Sequence, residues 1–549
     1  MPYTGKPSKG CDMCKSRRIK CDEQKPACGN CVKSKRRCPG YRQEFDIMFR
    51  DENKAMARRV RNSSRRRDQN SRSVTPSDQG LHQSPYGTPL LLPDPQLDDV
   101  PFPGTSLDAN QSVWHNFLGS LEHALPASIT VSPESEAVPF FFRNFVALPQ
   151  QADSMRGYLE LLLPLYNRNL SSSTLHLATK AVALAAYGNY PGKKHLIEDA
   201  AKAYGEAILK LNEDLTDPAI ARSDESILAT LLFSLYENIT STSDTVQAWG
   251  NHVDGAIALT KLRGADQFKD PLSHEVFRAV RSMMVISCVQ RSKPVDLVPF
   301  PGGDRWMGTE FKNENAANRL TLICIDIPSI RARTNTLIQS SYHEGLVSEA
   351  LNIIEFAQTV DQSLQKWYET LPDSWQHQFI GLESGIGPEG ANTAAWPGEQ
   401  HAYHDVPLAS IVNEYRVCRI FCQRAILHCT TYITTNPTHR LDNATYDSAA
   451  FIIQQMVNDI AACVPFHLSY DMQPVAQMLE QERTAAEGFG AYSLVWPLYV
   501  AANAETVPQE QKMWFLNRLH YIGERFGLSN VQVLVMAKQH VLTCGALFP

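Results

Sequence analysis

The 549-residue sequence lacks several features that would assign it to common protein classes. It contains no run of about 18 apolar residues, so no membrane-spanning segment is predicted and no membrane partner is expected. Its first residues show no apolar core of a signal peptide. Glycine-rich phosphate loops, H-E-x-x-H and G-x-S-x-G are absent, and with them the commonest sequence signals of nucleotide binding and hydrolysis.

Cysteine is unevenly distributed: six of the 13 cysteines fall in the stretch CDMCKSRRIKCDEQKPACGNCVKSKRRC, from Cys11 to Cys38. The pattern C-x2-C-x6-C occurs twice in it, so the stretch is an internal duplication. The repeated cysteines are Cys11, Cys14 and Cys21, then Cys28, Cys31 and Cys38. Short C-x2-C turns present two thiolates to one metal ion.

A structural zinc ion takes four ligands in a tetrahedron, so one ion would leave two of these six thiols unused. Two ions need eight ligand positions, which six cysteines fill if two of them bridge. The repeat points to the first cysteine of each half, Cys11 and Cys28. The predicted quartets are Cys11, Cys14, Cys21 and Cys28 for one ion, and Cys28, Cys31, Cys38 and Cys11 for the other.

The stretch offers almost no apolar core as an alternative to metal. Its apolar side chains between the cysteines are Met13, Ile19, Ala27 and Val32. Metal binding and folding are therefore predicted to be one event. A disulfide scaffold is disfavoured because no secretory signal is present, and the seven scattered cysteines fit a cytosolic or nuclear protein.

This stretch resembles the fungal binuclear zinc cluster, a two-zinc, six-cysteine DNA-binding domain of transcription factors. The resemblance rests on both repeats, on the basic run K-S-R-R-I-K before Cys21 and on Pro26 between the halves. It implies two zinc ions as cofactors, double-stranded DNA as partner, and a short helix that reads a CGG triplet in the major groove. Arg18 falls on the position that resembles the family's base-reading residue, with Arg17 and Lys20 on neighbouring basic positions.

The chemistry of these side chains agrees with that resemblance. An arginine donates two hydrogen bonds to O6 and N7 of guanine. Lysines beside it contact phosphates, and such contacts position the protein on the duplex but do not distinguish one base sequence from another. The phosphate candidates include Lys15, Lys33 and Lys35. The alternatives are a zinc knuckle that only folds and a protein-binding zinc module, but so basic a metal module favours a polyanionic partner.

Charge divides the chain. Residues 1–72 carry 21 Lys and Arg against 8 Asp and Glu, a net +13, and the remainder carries a net −19.

We divide the chain into a zinc-cluster domain at 1–45, a basic run and disordered linker at 46–112, and a large all-helical regulatory domain at 113–549. The predicted fold class is therefore mainly α. Arginines 58–67 are predicted to serve nuclear import, and the leucines and acids of 88–103 to contact the transcription machinery.

Helical periodicity dominates after the linker, with no convincing strand alternation. Predicted helices cover about 175–187, 194–215, 226–236, 244–263, 273–290, 313–335, 344–371, 406–432, 445–463, 473–503, 508–526 and 529–542. Ser223 is predicted to cap one of them and Gly264 to end another. The stretch 380–403 is predicted to be a long loop.

The helical region resembles the fungal-specific transcription factor regulatory domain. The residues that carry this resemblance are AVPFFFRNFV at 137–146, the pattern W-x2-H-x2-G-A-x2-L-x3-R-G that starts at Trp249, and WPLYVA at 496–501. The resemblance implies an all-helical domain that regulates or dimerises, and no catalysis. His252 is interpreted as a hydrogen-bonded core histidine, and Cys418, Cys422 and Cys429 as one buried stripe, not as metal ligands.

The sequence therefore predicts a nuclear, non-enzymatic, RNA polymerase II-type transcription factor that recognises CGG-like triplets in promoters. The family resemblance of the paired domains implies control of a secondary-metabolite gene cluster, and it allows a homodimer. A nutrient or catabolic regulator, a repressor that needs a partner subunit, and a helical enzyme fused to a DNA-binding head are the alternatives.

Overall fold

The computed structural model describes two parts of the chain. One is a set of positions within 11–38 that includes all six cysteines but not Lys15, Arg18 or Lys35. The other is a helical body over 132–531, with gaps at 157, 169–171, 191, 241–247, 298–305, 307–313, 386–389, 436–442, 469–486 and 530. The predicted basic run and linker, most of the helix at 529–542, and parts of those at 244–263 and 473–503 lie outside the described residues.

In the second half of the cysteine stretch, the described residues include a short helix, α1 (Gly29–Lys33). Cys28 caps it, because its sulfur accepts a hydrogen bond from the backbone N–H of Cys31 at 3.3 Å. The first half repeats this contact, with the N–H of Cys14 donating to the sulfur of Cys11 at 3.4 Å. The duplication seen in the sequence is thus a duplication of local structure.

The body is built almost entirely from helices, which confirms the mainly α class. Its helices are α2 (Pro133–Phe145), α3 (Leu162–Tyr166), α4 (Thr174–Gly188), α5 (Ile197–Asp214), α6 (Pro218–Ala221), α7 (Asp224–Thr240), α8 (Ala248–Arg263), α9 (Pro271–Arg291), α10 (Ala316–Cys324), α11 (Ile327–Gln339), α12 (Val347–Glu369), α13 (Val406–Thr434), α14 (Asn443–Ala462), α15 (Val464–Leu468), α16 (Glu487–Ala502) and α17 (Gln509–Phe526).

The first half of the body packs around α4 and α7. Helix α4 contacts α2, α5 and α7, and α7 contacts α8. The alanines of α4 are nearly all buried, since small side chains let neighbouring helices approach closely. As predicted, the Ser223 hydroxyl accepts from the N–H of Ser226 at 3.2 Å before α7. Gly264, at φ +64°, follows the last residue of α8.

The second half packs around α13, which contacts α11, α12, α14 and α16. Asp405 caps this 29-residue helix by accepting from the N–H of Leu408 at 2.8 Å, and Pro407 lies in its first turn. Buried ion pairs fix it to its neighbours: Arg419 donates to both carboxylate oxygens of Asp361 on α12, at 2.8 and 2.9 Å. Helix α13 is therefore buried on almost all sides.

The sequence prediction was wrong about part of the stretch 380–403. A two-stranded antiparallel sheet, β1 (Gln378–Glu383) and β2 (Gly398–Ala402), occupies its two ends. The register pairs Phe379 with His401 and is irregular before Gly381. The body is thus not wholly helical, and β2 packs on α14.

The single helix that was predicted at 313–335 is two separate helices in the structure. Helix α10 ends at Cys324 and α11 begins at Ile327 with Pro328 in its first turn. Proline lacks the N–H that a continuous helix would use, so it marks a new start.

One stretch, Asn443–Leu468, has the length and apolar composition of a membrane-spanning helix, with mean hydropathy 1.3. It comprises α14 and α15, and 56% of its most apolar window is buried within the body. Core helices of packed domains pass the same test of length and composition.

Candidate metal centre

The six cysteines of 11–38 gather into one cluster of sulfur atoms. Two groups of four each have all their sulfurs within 4.8 Å of one another. These are Cys11, Cys14, Cys21 and Cys28, and Cys11, Cys28, Cys31 and Cys38. Cys11 and Cys28 belong to both, which is the arrangement that the repeat predicts.

The sulfur separations fit zinc. Four sulfurs around zinc, each at about 2.3 Å, lie about 3.8 Å from one another in a regular tetrahedron. The observed separations are 3.6 Å for Cys11–Cys28, 3.8 Å for Cys11–Cys31 and 3.6 Å for Cys14–Cys28. The residues present thus suit two zinc ions that share two bridging thiolates.

Electrostatics explains why these thiols need a cation. Burial, and then contact with neighbouring cysteine sulfurs, raises the pKa of Cys14 and raises that of Cys31 to about 12. Burial likewise raises the pKa of Cys11. Without a metal ion these groups stay protonated near neutral pH, whereas a bound cation stabilises the thiolate form that coordinates it.

Two contacts outside the sulfur cluster join its halves. Both carboxylate oxygens of Asp22 accept from the N–H of Gly29, at 3.1 and 2.9 Å, at the N-terminus of α1. The side-chain amide of Asn30 donates to the carbonyl of Lys20 at 2.8 Å. The sequence analysis did not single out Asp22 or Asn30, although Asp22 follows a cysteine and Asn30 lies between two.

The basic residues predicted to contact DNA divide between described and undescribed positions. Arg17, Lys20 and Lys33 are exposed, and Lys33 lies in the last turn of α1. Lys15, Arg18 and Lys35 lie outside the described residues. Each described candidate therefore presents its charge to solvent and none is buried among the sulfurs.

Two groups that were interpreted as core residues lie within the body, where His252 is half-buried and the three cysteines are buried. His252 Nε2 lies 2.9 Å from the Tyr204 hydroxyl, inside an aromatic cluster with Phe233. The stripe Cys418, Cys422 and Cys429 is buried along α13, while His428 contacts Glu505 at 3.0 Å. Among the described residues, the stripe does not belong to a group of three ligand atoms that all lie within 4.8 Å of one another.

The body encloses a largely apolar cavity of about 230 Å³ between α9, α13 and α16. Its polar lining includes an ion pair between Arg156 and Glu414. Burial lowers the pKa of Arg156. Sequence motifs gave no sign of this cavity, because its lining comes from segments far apart in the chain.

Sequence reasoning also missed a second group of side chains whose ligand atoms lie close together, His377, Glu399 and His401. All three lie next to or within the small sheet that was predicted to be a loop. The signal that could have found them is the spacing of Glu399 and His401, because residues two apart in a strand lie on the same face.

Comparison with known families matches two parts of the chain. Residues 9–46 match the fungal Zn(2)-Cys(6) binuclear cluster domain. Residues 138–291 match the fungal specific transcription factor domain. The second match begins within α2 and ends at the last residue of α9, so it covers the first half of the body.

Among curated proteins, the chain is similar to "Transcription factor dbaG" of Emericella nidulans, with 23% identity over 423 residues, 75% of this chain and 94% of that protein. Shorter matches are to "Sterol uptake control protein 2" of Candida albicans, 38% identical over 93 residues, 17% of this chain and 13% of that protein. "White-opaque regulator 2" of the same organism is 49% identical over 45 residues, 8% of this chain and 10% of that protein. No solved structure matches the chain.

Proposed function

Since the chain is a fungal Zn(2)-Cys(6) transcription factor with a regulatory domain, we propose that its cluster reads CGG-like triplets in promoter DNA. The observation that carries the proposal is the gathering of six sulfurs into two quartets in a stretch whose described basic side chains, Arg17, Lys20 and Lys33, are exposed. A metal core that carries basic side chains on its surface presents positive charge to a polyanion. This attraction supplies most of the sequence-independent affinity for DNA.

We assign the six cysteines to two zinc ions and divide the basic residues by role. Arg18 is the base-reading residue, because a guanidinium matches both acceptors on the major-groove edge of guanine. Arg17 and Lys20 flank it, while Lys15, Lys33 and Lys35 contact phosphates. Phosphate contacts fix the register of the protein on the duplex and carry no sequence information.

The helical body, in this proposal, regulates the cluster's output in the nucleus and performs no chemistry. Its targets are proposed to be a secondary-metabolite gene cluster, and the support for this is the pairing of the two domains. A relative that matches along most of its length is named as a transcription factor, which agrees with regulation and leaves the target genes open. Transcript profiling of a deletion strain tests the proposal: unchanged secondary-metabolite genes with altered nutrient genes would contradict it.

The DNA proposal is tested with the full-length, zinc-loaded chain on duplexes that carry CGG or a scrambled triplet. Arg18→Ala is expected to lower the discrimination between them by about 1–3 kcal/mol, roughly 5- to 150-fold, since a bidentate guanine contact is lost. The matched control Lys35→Ala is expected to weaken both duplexes evenly and to reduce the salt slope by about 1. An Arg18→Ala protein that keeps its preference for CGG would contradict the assigned docking.

A further inference from the structure

We propose that His377, Glu399 and His401 form a third metal site, in the helical body, for zinc or a similar divalent transition ion. The site is separate from the cysteine cluster in its residues and in its chemistry. Evidence for or against this site therefore does not depend on whether the cluster reads DNA.

The small sheet brings the three ligands together. Glu399 and His401 are two apart on β2 and so share one face of the strand. His377 directly precedes β1, and its ring stacks on that of His401, with the centroids 3.8 Å apart and an interplanar angle of 23°. One of the two rings must therefore rotate for a nitrogen of each to face a common ion. One candidate ligand atom from each of the three residues lies within 4.8 Å of the others.

The separation between Glu399 and His401 suits coordination better than hydrogen bonding. Oε2 of Glu399 lies 3.4 Å from Nε2 of His401. A good hydrogen bond between nitrogen and oxygen is about 2.7–3.2 Å. Two ligands at about 2.1 Å from a tetrahedral zinc ion lie about 3.4 Å apart, which is the distance found here.

An unpartnered nitrogen lies at the same place. His401 is 3% exposed and its Nε2 makes the 3.4 Å contact with Glu399, while Nδ1 of His377 is buried with no hydrogen-bond partner within the described part of the chain. Buried polar atoms in native proteins are nearly always paired, so such atoms indicate a missing ion or water.

The surroundings allow a cation to reach the site and balance its charge. Glu399 and His401 line a cleft of about 440 Å³ between β2 and α14, and Asp459 lies on the α14 side of that cleft. The cation Arg416 lies 2.6 Å from the Tyr403 hydroxyl and 3.9 Å from Asp459, so it balances the charge of Asp459. Glu399 is the carboxylate that is left to balance a bound ion.

The ligand types select the metal. Imidazole and carboxylate together suit zinc and its first-row neighbours, whereas calcium and magnesium prefer oxygen ligands alone. Three protein ligands leave a coordination position open, unlike the closed four-thiolate sites of the cluster. The body site is therefore expected to bind zinc more weakly than the cluster and to exchange it with solution.

The test measures zinc stoichiometry in the full-length chain, equilibrated with buffered free zinc and analysed by native mass spectrometry. Wild type is expected to bind three ions per chain. His401→Ala is expected to bind two, and Glu399→Gln, a change at an exposed position, to bind the third ion at least tenfold more weakly. His404→Ala is the matched control and should still bind three. Cobalt substitution identifies the third ion, since it should add visible absorption without further thiolate charge transfer.

Each outcome decides the matter. A wild-type chain that binds two ions would mean that water fills the site, and the proposal fails. Retention of the third ion at full affinity in both His401→Ala and Glu399→Gln would place it elsewhere and would also overturn the assignment. Loss of one ion in those two variants, with three retained in the control, supports it.

Discussion

The cysteine cluster and the helical body are two opposite ways to stabilise a fold. Among the described residues of 11–38, the buried side chains are cysteines alone. The body instead buries a large apolar core in which Trp306, Trp375 and Trp514 are completely enclosed. The first depends on coordination bonds and the second on apolar burial, so each should respond to perturbations that leave the other unchanged.

The largest expected effect follows from removal of a shared ligand. Cys28→Ser removes a sulfur from both quartets, and structural zinc supplies about 10–16 kcal/mol of folding free energy in comparable small domains. We expect the variant to lose cobalt–thiolate absorption almost completely. Cys38→Ser, which affects one quartet, should keep about half of it.

Far-UV circular dichroism of the same two variants tests whether the body is independent. Its helical signal should stay at the wild-type level, since the body's core contains none of these cysteines. A parallel fall in helicity in Cys28→Ser would show that the contrast between the two regions is false.

The next largest effect concerns a buried charge in the body. Asp361→Ala leaves Arg419 buried without its bidentate partner, and such a loss costs about 3–5 kcal/mol. Chemical denaturation should show that destabilisation with cluster absorption unchanged. The control is Glu349→Ala, which removes a half-exposed partner of Arg333 and should cost less than about 1 kcal/mol. Equal costs for the two variants would refute this ranking.

A smaller effect is the pH dependence of the body's stability, which is expected to differ from the pH dependence of zinc binding by the cluster. Burial lowers the pKa of His252 to about 4. The unfolded chain takes up this proton near pH 6.5 while the folded body resists it, so stability falls between about pH 6.5 and 4 and is unaffected above that range. The full contribution is about 3 kcal/mol.

His252→Gln should remove that part of the acid destabilisation while zinc loss from the cluster at low pH stays unchanged. The measurement is the midpoint of urea unfolding at several pH values, compared between variant and wild type. An identical pH slope in both proteins would show that His252 titrates normally in the folded body.

The sequence predicted the cluster in more detail than the body for a physical reason. Counting tetrahedral ligands predicts that two of the six cysteines are shared, and the internal repeat points to Cys11 and Cys28 as that pair. Helices of the body were predicted from a period that persists over many turns. The hairpin was missed, since β1 and β2 are only six and five residues long and β1 has no buried residue.

Contacts between distant residues could not be predicted at all. His377 and His401 are neighbours only because an irregular antiparallel register places them together, and nothing in their spacing encodes that register. The same holds for Arg419 and Asp361, which lie on different helices, 58 residues apart. Local patterns specify elements, and the pairing of elements depends on the whole core.

The sharing of Cys11 and Cys28 has a consequence for the charge that the cluster presents to DNA. Two separate four-cysteine zinc sites would carry eight thiolates against two divalent ions, a net −4. The shared arrangement uses six thiolates and so carries −2. The shared arrangement thus removes two negative charges from a module that approaches a phosphate backbone. Two unshared sites would place those charges within about 10 Å of the phosphates, a distance at which salt screens the repulsion incompletely. Bridging thus lets a short, lysine- and arginine-rich stretch hold two ions while it stays strongly positive.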